Sequence, residues 1–162
     1  MVNTLIIAVI STILGFLLGL LVAVIRGMEV KKTENAFTYY LHKIINWILG
    51  AYVEIFRGTP MMVQSVIIFY GLKQYFDIDL STMFAAILIV SINTGAYLSE
   101  VVRGGINSID KGQFEACKAI GMTHFQTMVH VILPQTILTI LPSIGNEFVI
   151  NIKDTSLSLI HI

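Results

Sequence analysis

The sequence EACKAIG at positions 115–121, followed ten positions later by VILP at 131–134, lies between two stretches that are apolar enough to cross a membrane. Ala116 and Ala119 are three residues apart and therefore share one face of a helix. The absence of bulk on that face lets another surface approach closely. We predict a short, water-exposed helix over about residues 110–121 that docks against another protein.

Both ends of this docking helix carry sequence signals for caps. Asp110 can accept a hydrogen bond from the first turn, and Gln113 stands where its side chain can reach back. Gly121 suits the left-handed conformation that ends many helices. Thr123 and Gln126 then repeat the capping-box spacing. The pattern therefore predicts a helix, a tight glycine turn and a second helix that enters the membrane.

The pattern resembles the EAA loop of bacterial ABC importer permeases, whose consensus is Glu-Ala-Ala, three residues, Gly, nine residues and then Ile-x-Leu-Pro. The spacing is kept, with Cys117 replacing the second Ala and Val131 replacing the Ile. The resemblance covers nearly the whole chain from about Val2. Further segments resemble the subgroup that imports histidine, glutamine, glutamate, arginine and similar polar amino acids: RGTP at 57–60, NTGAYL at 93–98, RGGI at 103–106 and KDTS at 153–156.

Composition independently indicates a membrane protein. Hydrophobic residues make up 56% of the chain and charged residues 12%, against roughly 45–50% and 25% in soluble domains. A helical span needs about 20 apolar residues. We expect an all-α membrane protein, a single permease domain over residues 1–162 that forms a bundle of four transmembrane helices. The expected spans cover about residues 4–25, 44–76, 80–103 and 123–150.

Two of the four expected spans carry helix-breaking residues. The second is interrupted near Gly58, where Thr59 would cap the following half and Pro60 would occupy its first helical position. In the fourth, Pro134 and Pro142 each remove an intrahelical hydrogen bond, which should kink the span and leave carbonyls in need of partners. Kinked helices of this kind are expected to pack inside a bundle.

Lysine and arginine residues indicate the orientation, because cytoplasmic flanks carry the excess. Of ten in the chain, five lie between the first span and the break near Gly58, and three lie from the end of the third span to the fourth: Arg26, Lys31, Lys32, Lys43, Arg57, Arg103, Lys111 and Lys118. We expect a multi-pass protein of the bacterial inner (plasma) membrane, with the N-terminus outside and the docking helix in the cytosol. Permeases of the resembled subgroup have five spans, so the chain is expected to be truncated before the fifth.

The resemblance also implies partners and coupling residues. It implies an ABC ATPase subunit dimer, a second identical or homologous permease subunit, an extracytoplasmic amino-acid-binding protein, an amino acid substrate and membrane lipid. Glu115, Ala116 and Gly121 are the residues that it assigns to ATPase coupling. The alternative for Glu115 is that it only complements the helix dipole, an effect of about 0.3–1 kcal/mol.

The sequence contains no pattern typical of a catalytic site or of a nucleic-acid-binding surface. It contains no G-x-x-x-x-G-K-[ST] phosphate loop, so ATP hydrolysis is expected in a separate chain, and no catalytic residue, cofactor or metal is expected in this one. The four histidines lack metal-ligand spacing. The net charge is zero, and the absence of a basic stripe argues against nucleic acid as a partner.

A polar stripe near the end of the fourth span is the candidate for a substrate path. Glu147 has Ser143 and Asn151 four residues to either side, so the three share one helical face. Ionisable groups at membrane depth usually face a cavity or a partner, and a carboxylate would favour an amino or cationic group. A subunit-interface hydrogen bond, or snorkelling of Glu147 to the membrane surface, is an equally good explanation.

Polar residues of the second and third spans are further candidates. Asn93 can meet a substrate or another helix, and helix packing is the more common role. Arg57 can close a cytosolic gate, although a positive-inside anchor is the simpler explanation. Glu100 and Arg103 are expected to pair, with Gly104-Gly105 ending that helix.

Together these patterns favour a transmembrane permease subunit of an ATP-driven ABC importer for polar amino acids. It would form the translocation path and couple it to a separate ATPase. The alternative is an ion-gradient-driven secondary transporter or channel subunit. Such a protein needs no docking helix, and the inverted repeats typical of that class are not evident in the sequence.

Overall fold

The computed structural model describes residues 2–27, 36–77 and 80–161. All regular structure in these ranges is helical, which confirms the predicted all-α class. The elements are α1 (Val2–Gly27), α2 (Ala36–Gly58), α3 (Met61–Phe76), α4 (Thr82–Ser108), α5 (Lys111–Ala119), α6 (His124–Thr127), a π-turn (Met128–Ile132) and α7 (Leu133–His161).

Three described segments are long and apolar enough to cross a membrane by themselves: Val2–Gly27, Thr82–Ser108 and His124–Thr155. The pair α2 and α3 would be a fourth span if it is counted as one broken element. This count rests on length and composition, and it equals the four spans that the sequence predicts when the bent pair is counted as one span.

Helices α1 and α4 run parallel and form the centre of the bundle. Their close approach depends on glycine, because a Cβ added at Gly15 would lie 2.6 Å from the Cβ of Thr94. A Cβ added at Gly19 would lie 2.9 Å from the backbone nitrogen of Ser99. Small residues one turn apart let membrane helices pack backbone to backbone, so the spacing of these two glycines fixes the contact.

Helix α7 packs antiparallel to α4, and a glycine again makes the contact possible. The sequence predicts that Gly104-Gly105 ends the third span, and that prediction is wrong, because α4 continues to Ser108. A Cβ at Gly105 would lie 2.5 Å from Cγ2 of Ile140 and 2.9 Å from Cγ2 of Thr136. The glycine therefore makes room for α7 inside a continuing helix.

The break between α2 and α3 is much sharper than a kink. The segments Tyr39–Gly58 and Met61–Tyr75 are bent by 113° relative to each other. Pro60 is the N-cap of α3, in an extended conformation, and the hydroxyl of Thr59 donates to the carbonyl of Ile55 at 2.8 Å. The prediction that Thr59 caps α3 is therefore wrong, because its hydroxyl satisfies a carbonyl at the end of α2 instead.

The distortion expected at Pro134 takes the form of a π-turn over Met128–Ile132, in which the N–H of Leu133 bonds to the carbonyl of Met128. Side chains supply further donors: Nε2 of Gln135 bonds to the carbonyl of Val131 at 3.0 Å. A π-turn widens the helix just before the proline ring, and proline itself supplies no N–H. Helix α7 then continues through Pro142 without ending.

Candidate functional site

The docking helix α5 lies between the spanning helices α4 and α7 and has a defined start. The Oδ1 of Asp110 accepts from the N–H of Gly112 at 2.6 Å, which confirms the predicted N-cap. Among the hydrogen bonds of the described residues, the reciprocal bond from the Gln113 side chain is absent. The helix therefore begins with one side-chain cap and no capping box.

The end of α5 is a Schellman motif. Gly121 has φ of 79°, its N–H bonds to the carbonyl of Lys118 at 3.0 Å, and the N–H of Met122 bonds to the carbonyl of Cys117 at 3.0 Å. The predicted capping box follows at once, with Thr123 and Gln126 each accepting a backbone hydrogen bond from the other.

The outer face of α5 is open. Glu115, Ala116 and Ala119 are exposed, and Ile120 beside them is 77% exposed. Cys117 is buried on the opposite side and anchors the helix to the rest of the chain. A short helix with one anchored side and one open, small-residue side can present a docking surface that moves as one body.

A carboxylate with two guanidinium partners lies towards the same end of the bundle. Oε1 of Glu100 is 2.7 Å from Nη1 of Arg26, and its Oε2 is 2.5 Å from Nη2 of Arg103. The predicted pairing of Glu100 with Arg103 is therefore confirmed. Arg26 was missed, because its pairing depends on how α1 and α4 align. These charge-assisted bonds tie the end of α1 to α4.

Arg57 lies at the end of α2 beside this charge cluster. Its guanidinium carbon is 5.5 Å from the centre of the Tyr97 ring, and its carbonyl accepts from the Tyr97 hydroxyl at 3.3 Å. The cation therefore lies over an aromatic face. It also lines an open groove of about 470 Å³ together with Arg26, Gly50, Val53, Glu54, Gly58 and Glu100.

Asn93 is buried and holds the break between α2 and α3. Its Nδ2 donates to Oε1 of Gln64 at 2.9 Å and to the carbonyl of Phe56 at 3.1 Å. Nε2 of Gln64 donates to the same carbonyl at 3.0 Å and to the carbonyl of Thr59 at 2.9 Å. Carbonyls at the end of a helix need partners away from water, and the two amides provide them.

The residues of the predicted polar stripe lie in three different environments. Ser143 is exposed, Glu147 is partly buried, and Asn151 is 2% exposed. Nδ2 of Asn151 donates to Oγ1 of Thr12 at 2.9 Å, and its Oδ1 accepts from Oγ1 of Thr94 at 3.0 Å. Asn151 therefore joins α1, α4 and α7 in the core, whereas Glu147 and Ser143 lie nearer the outer side of α7.

Two structurally important residues were missed by the sequence interpretation. Gln64 is an amide inside the apolar α3, and polar residues at such positions usually have partners, so its type and place were a usable signal. The hydroxyl of Tyr52 bonds to the carbonyl of Ile92 at 2.5 Å, and no local pattern indicates that contact.

The described residues contain no group of three or more side chains that could hold a metal ion.

Comparison with known proteins places these features in a family. The family model described as "Binding-protein-dependent transport system inner membrane component" matches residues 15–161. The chain is 40% identical over 147 residues to the L-cystine transport system permease protein of Bacillus subtilis, covering 91% of this chain and 59% of that protein. It is 35% identical over 154 residues to the arginine transport system permease protein of the same organism, covering 95% of this chain and 65% of that protein.

Solved structures agree with the sequence matches. The chain is 34% identical to a crystal structure of an amino acid ABC transporter with histidines, with a TM-score of 0.83, covering 99% of this chain and 69% of that chain. The fold is also shared by a methionine ABC transporter in an inward-facing conformation, with a TM-score of 0.75 and 21% sequence identity. That match covers 96% of this chain and 69% of that chain. The chain spans about 60% of the length of the curated relatives that it matches.

Proposed function

The chain belongs to the family of binding-protein-dependent transport system inner membrane components, and from this membership we propose that it is the permease subunit of an ATP-driven ABC importer for polar amino acids. The relatives named for L-cystine and arginine support an amino acid as the substrate. So does the 34% identity to the solved amino acid ABC transporter.

The observation that carries this proposal is the capped docking helix between α4 and α7. An importer must couple an energy source in one compartment to a path through the membrane, which requires an element that both sites bias. Helix α5 has an open face at Glu115 and Ala116, and Gly121 joins it closely to the next helix. A self-contained channel or secondary transporter has no need of such a surface.

In this mechanism the docking helix is held by an ABC ATPase subunit that closes on ATP. The α5–α6 hairpin then moves as one body and displaces the start of α7 through the π-turn. Because α7 packs on α4 at Gly105, the movement reaches the central helices. A dimer of ATPase subunits, a second permease subunit and an extracytoplasmic amino-acid-binding protein complete the assembly.

The substrate path is proposed along the side of α7 that carries Glu147 and Ser143. Asn151 and Asn93 would support this path from within the bundle, because each holds helices together through its amide. Arg57, at the charged end of the bundle, would control exit from the path. In this arrangement the docking helix lies on the cytosolic side of a bacterial inner membrane, the N-terminus lies outside, and the permease itself performs no catalysis.

The test is transport by the purified complex in liposomes. The permease is produced together with an ATPase subunit and an amino-acid-binding protein from the same organism, and uptake of a panel of labelled amino acids is measured with and without ATP. We expect the ATPase to remain bound in detergent and uptake to require both ATP and the binding protein. Uptake driven by an ion gradient without ATP would contradict the proposal and support the secondary transporter.

A further inference from the structure

One face of helix α2 is exposed along the first half of the helix. Its apolar members recur at helical spacing, and each is exposed: Phe37, Tyr40, Leu41, Ile44, Trp47 and Ile48. The opposite face holds α2 to the bundle, since Nε2 of His42 lies 3.2 Å from the carbonyl oxygen of Ile25 and Val53 is buried. The first half of α2 therefore presents an apolar and aromatic face to its surroundings.

Three hydrogen-bond donors lie together along one edge of this face. Lys43 follows Tyr40 by three positions and precedes Trp47 by four, so its side chain neighbours both on the helix surface. Tyr40 is 63% exposed, Trp47 is 75% exposed, and Lys43 is exposed as well. Within the described part of the chain, the Tyr40 hydroxyl, the Lys43 ammonium and the Trp47 indole N–H have no hydrogen-bond partner. The edge therefore offers one cation between two neutral donors.

The position of this edge along the bundle matches a membrane surface. His42, the neighbour of Lys43 in α2, contacts the last turn of α1, and Arg26 in that turn pairs with Glu100. Charged side chains of membrane helices gather where the bilayer meets water, and tyrosine and tryptophan are enriched at the same level. Lys43 is therefore placed at the level of the lipid headgroups, on the side of the bundle that leads into α5.

Lys43 forms no ion pair with any residue that the structure describes. Of the nearest carboxylates, that of Glu100 is held by two guanidinium groups, those of Arg26 and Arg103. Glu54, the one acidic residue of α2, lies eleven positions further along, which is about 16 Å on a helix. A cation without a counter-charge at this level favours an anionic group from the bilayer itself.

We propose that the edge formed by Tyr40, Lys43 and Trp47 binds the phosphate of an anionic phospholipid. The Lys43 ammonium attracts the phosphate, while the tyrosine hydroxyl and the indole N–H donate to its oxygens. The acyl chains follow the apolar face past Ile44 and Ile48 towards the middle of the bundle. The inference goes beyond the proposed function, because it requires only that a bilayer surrounds the chain.

The experiment follows the fluorescence of Trp47, the one tryptophan in the sequence. The complete complex is reconstituted in vesicles that contain brominated phosphatidylglycerol or, at the same mole fraction, brominated phosphatidylcholine, because bromine quenches a tryptophan that it contacts. The signal of the Trp47→Phe complex is subtracted, which removes the contribution of every other tryptophan. We expect the anionic lipid to occupy the site about fivefold more readily than the zwitterionic lipid.

Lys43→Gln should remove this preference, so that both lipids quench Trp47 equally. Lys111→Gln is the matched control, because Lys111 is an exposed lysine of another helix, α5, and its loss should leave the preference as in the wild type. Equal quenching by both lipids in the wild type, or a preference that persists without Lys43, would overturn the inference. Absence of quenching by either lipid would also overturn it, since protein would then cover this face.

Inorganic phosphate offers a similar charge without acyl chains, so the salt is varied as well. Replacing chloride with phosphate at constant ionic strength should leave the lipid preference unchanged. A preference that is lost in phosphate would show that the edge binds the free ion, and would overturn the assignment to a phospholipid. The measurement requires no transport, so failure of the proposed function would be distinguishable from failure of this inference.

Discussion

At the scale of single residues, several local hydrogen bonds were predicted correctly, although the caps expected from Gln113 and Thr59 do not form. Asp110, Gly121 and the pair Thr123 and Gln126 have the predicted capping roles, because each cap joins groups only two to five positions apart. Contacts between distant residues were not predictable. The pairing of Arg26 with Glu100 joins residues 74 positions apart and depends on the register of two whole helices.

Gly121 gives the sharpest prediction at this scale. At a φ of 79°, a residue with a Cβ costs about 1–2 kcal/mol. Gly121→Ala should therefore speed amide hydrogen exchange over residues 111–127 by about fivefold or more, since 1 kcal/mol is a factor of about five. It should also lower ATP-driven uptake.

Gly145→Ala is the control for this substitution. Gly145 lies inside α7 without a positive φ, and a Cβ there would meet nothing within 4 Å. Alanine in a helix is favoured over glycine by roughly 0.5–1 kcal/mol, so exchange in α7 should slow or stay unchanged. Unchanged exchange around α5 in the Gly121 variant would show that its left-handed conformation is not important for the hairpin.

Glu147 carries the prediction about substrate charge. If its carboxylate faces the substrate path, Glu147→Gln should reduce uptake of a cationic amino acid more than uptake of a neutral one, because only the cation loses an opposite charge. The measurement is competitive uptake of the two labelled substrates. Ser143→Ala removes no charge and should affect both equally. An equal loss for both substrates in the Glu147 variant would remove this residue from the path.

At the scale of elements, the presence of the helices could be predicted from composition, whereas the size and form of their bends could not. The break near Gly58 was predicted from local signals, but its 113° bend depends on the buried amides of Asn93 and Gln64, which meet only in the folded bundle. Likewise, Pro134 indicated a distortion without indicating its form. The distortion is a π-turn over Met128–Ile132, in which the Gln135 side chain, one turn further along, bonds to the carbonyl of Val131.

The π-turn connects the docking hairpin to α7, so its integrity should affect coupling. Gln135→Leu removes the side-chain bond to the carbonyl of Val131 inside the wide turn, where backbone pairing is poorer. A lost bond of this kind costs about 1 kcal/mol. We expect fewer amino acids transported per ATP hydrolysed, measured by recording uptake and phosphate release from the same liposomes.

Thr139→Val provides a matched comparison in the same helix. It removes a similar bond, from the Thr139 hydroxyl to the carbonyl of Gln135, but in regular α-helix rather than in the π-turn. That carbonyl keeps its ordinary backbone partner, so the transport ratio should match the wild type. If both variants show the same ratio, the π-turn has no special part in coupling.

At the scale of the whole molecule, the chain combines a glycine-packed bundle with a short capped helix, α5, that has an exposed face. Composition predicted the membrane class, because it follows from the solvent that the helices must face. The packing of α1, α4 and α7 through Gly15, Gly19 and Gly105 was not predictable, since many glycines face open space in this chain and only a few mark contacts. The account therefore depends on α5 as the link to the ATPase.

Disulfide cross-linking from the docking face tests that link most directly. A cysteine is placed at Glu115, or as a control at Tyr75, in a Cys117→Ser background within the complete complex. Tyr75 is 80% exposed at the end of α3, towards the opposite end of the bundle. The account predicts that Glu115→Cys cross-links to cysteines on the ATPase and that Tyr75→Cys does not. Cross-links from position 115 only to the extracytoplasmic binding protein, or none to the ATPase, would contradict it.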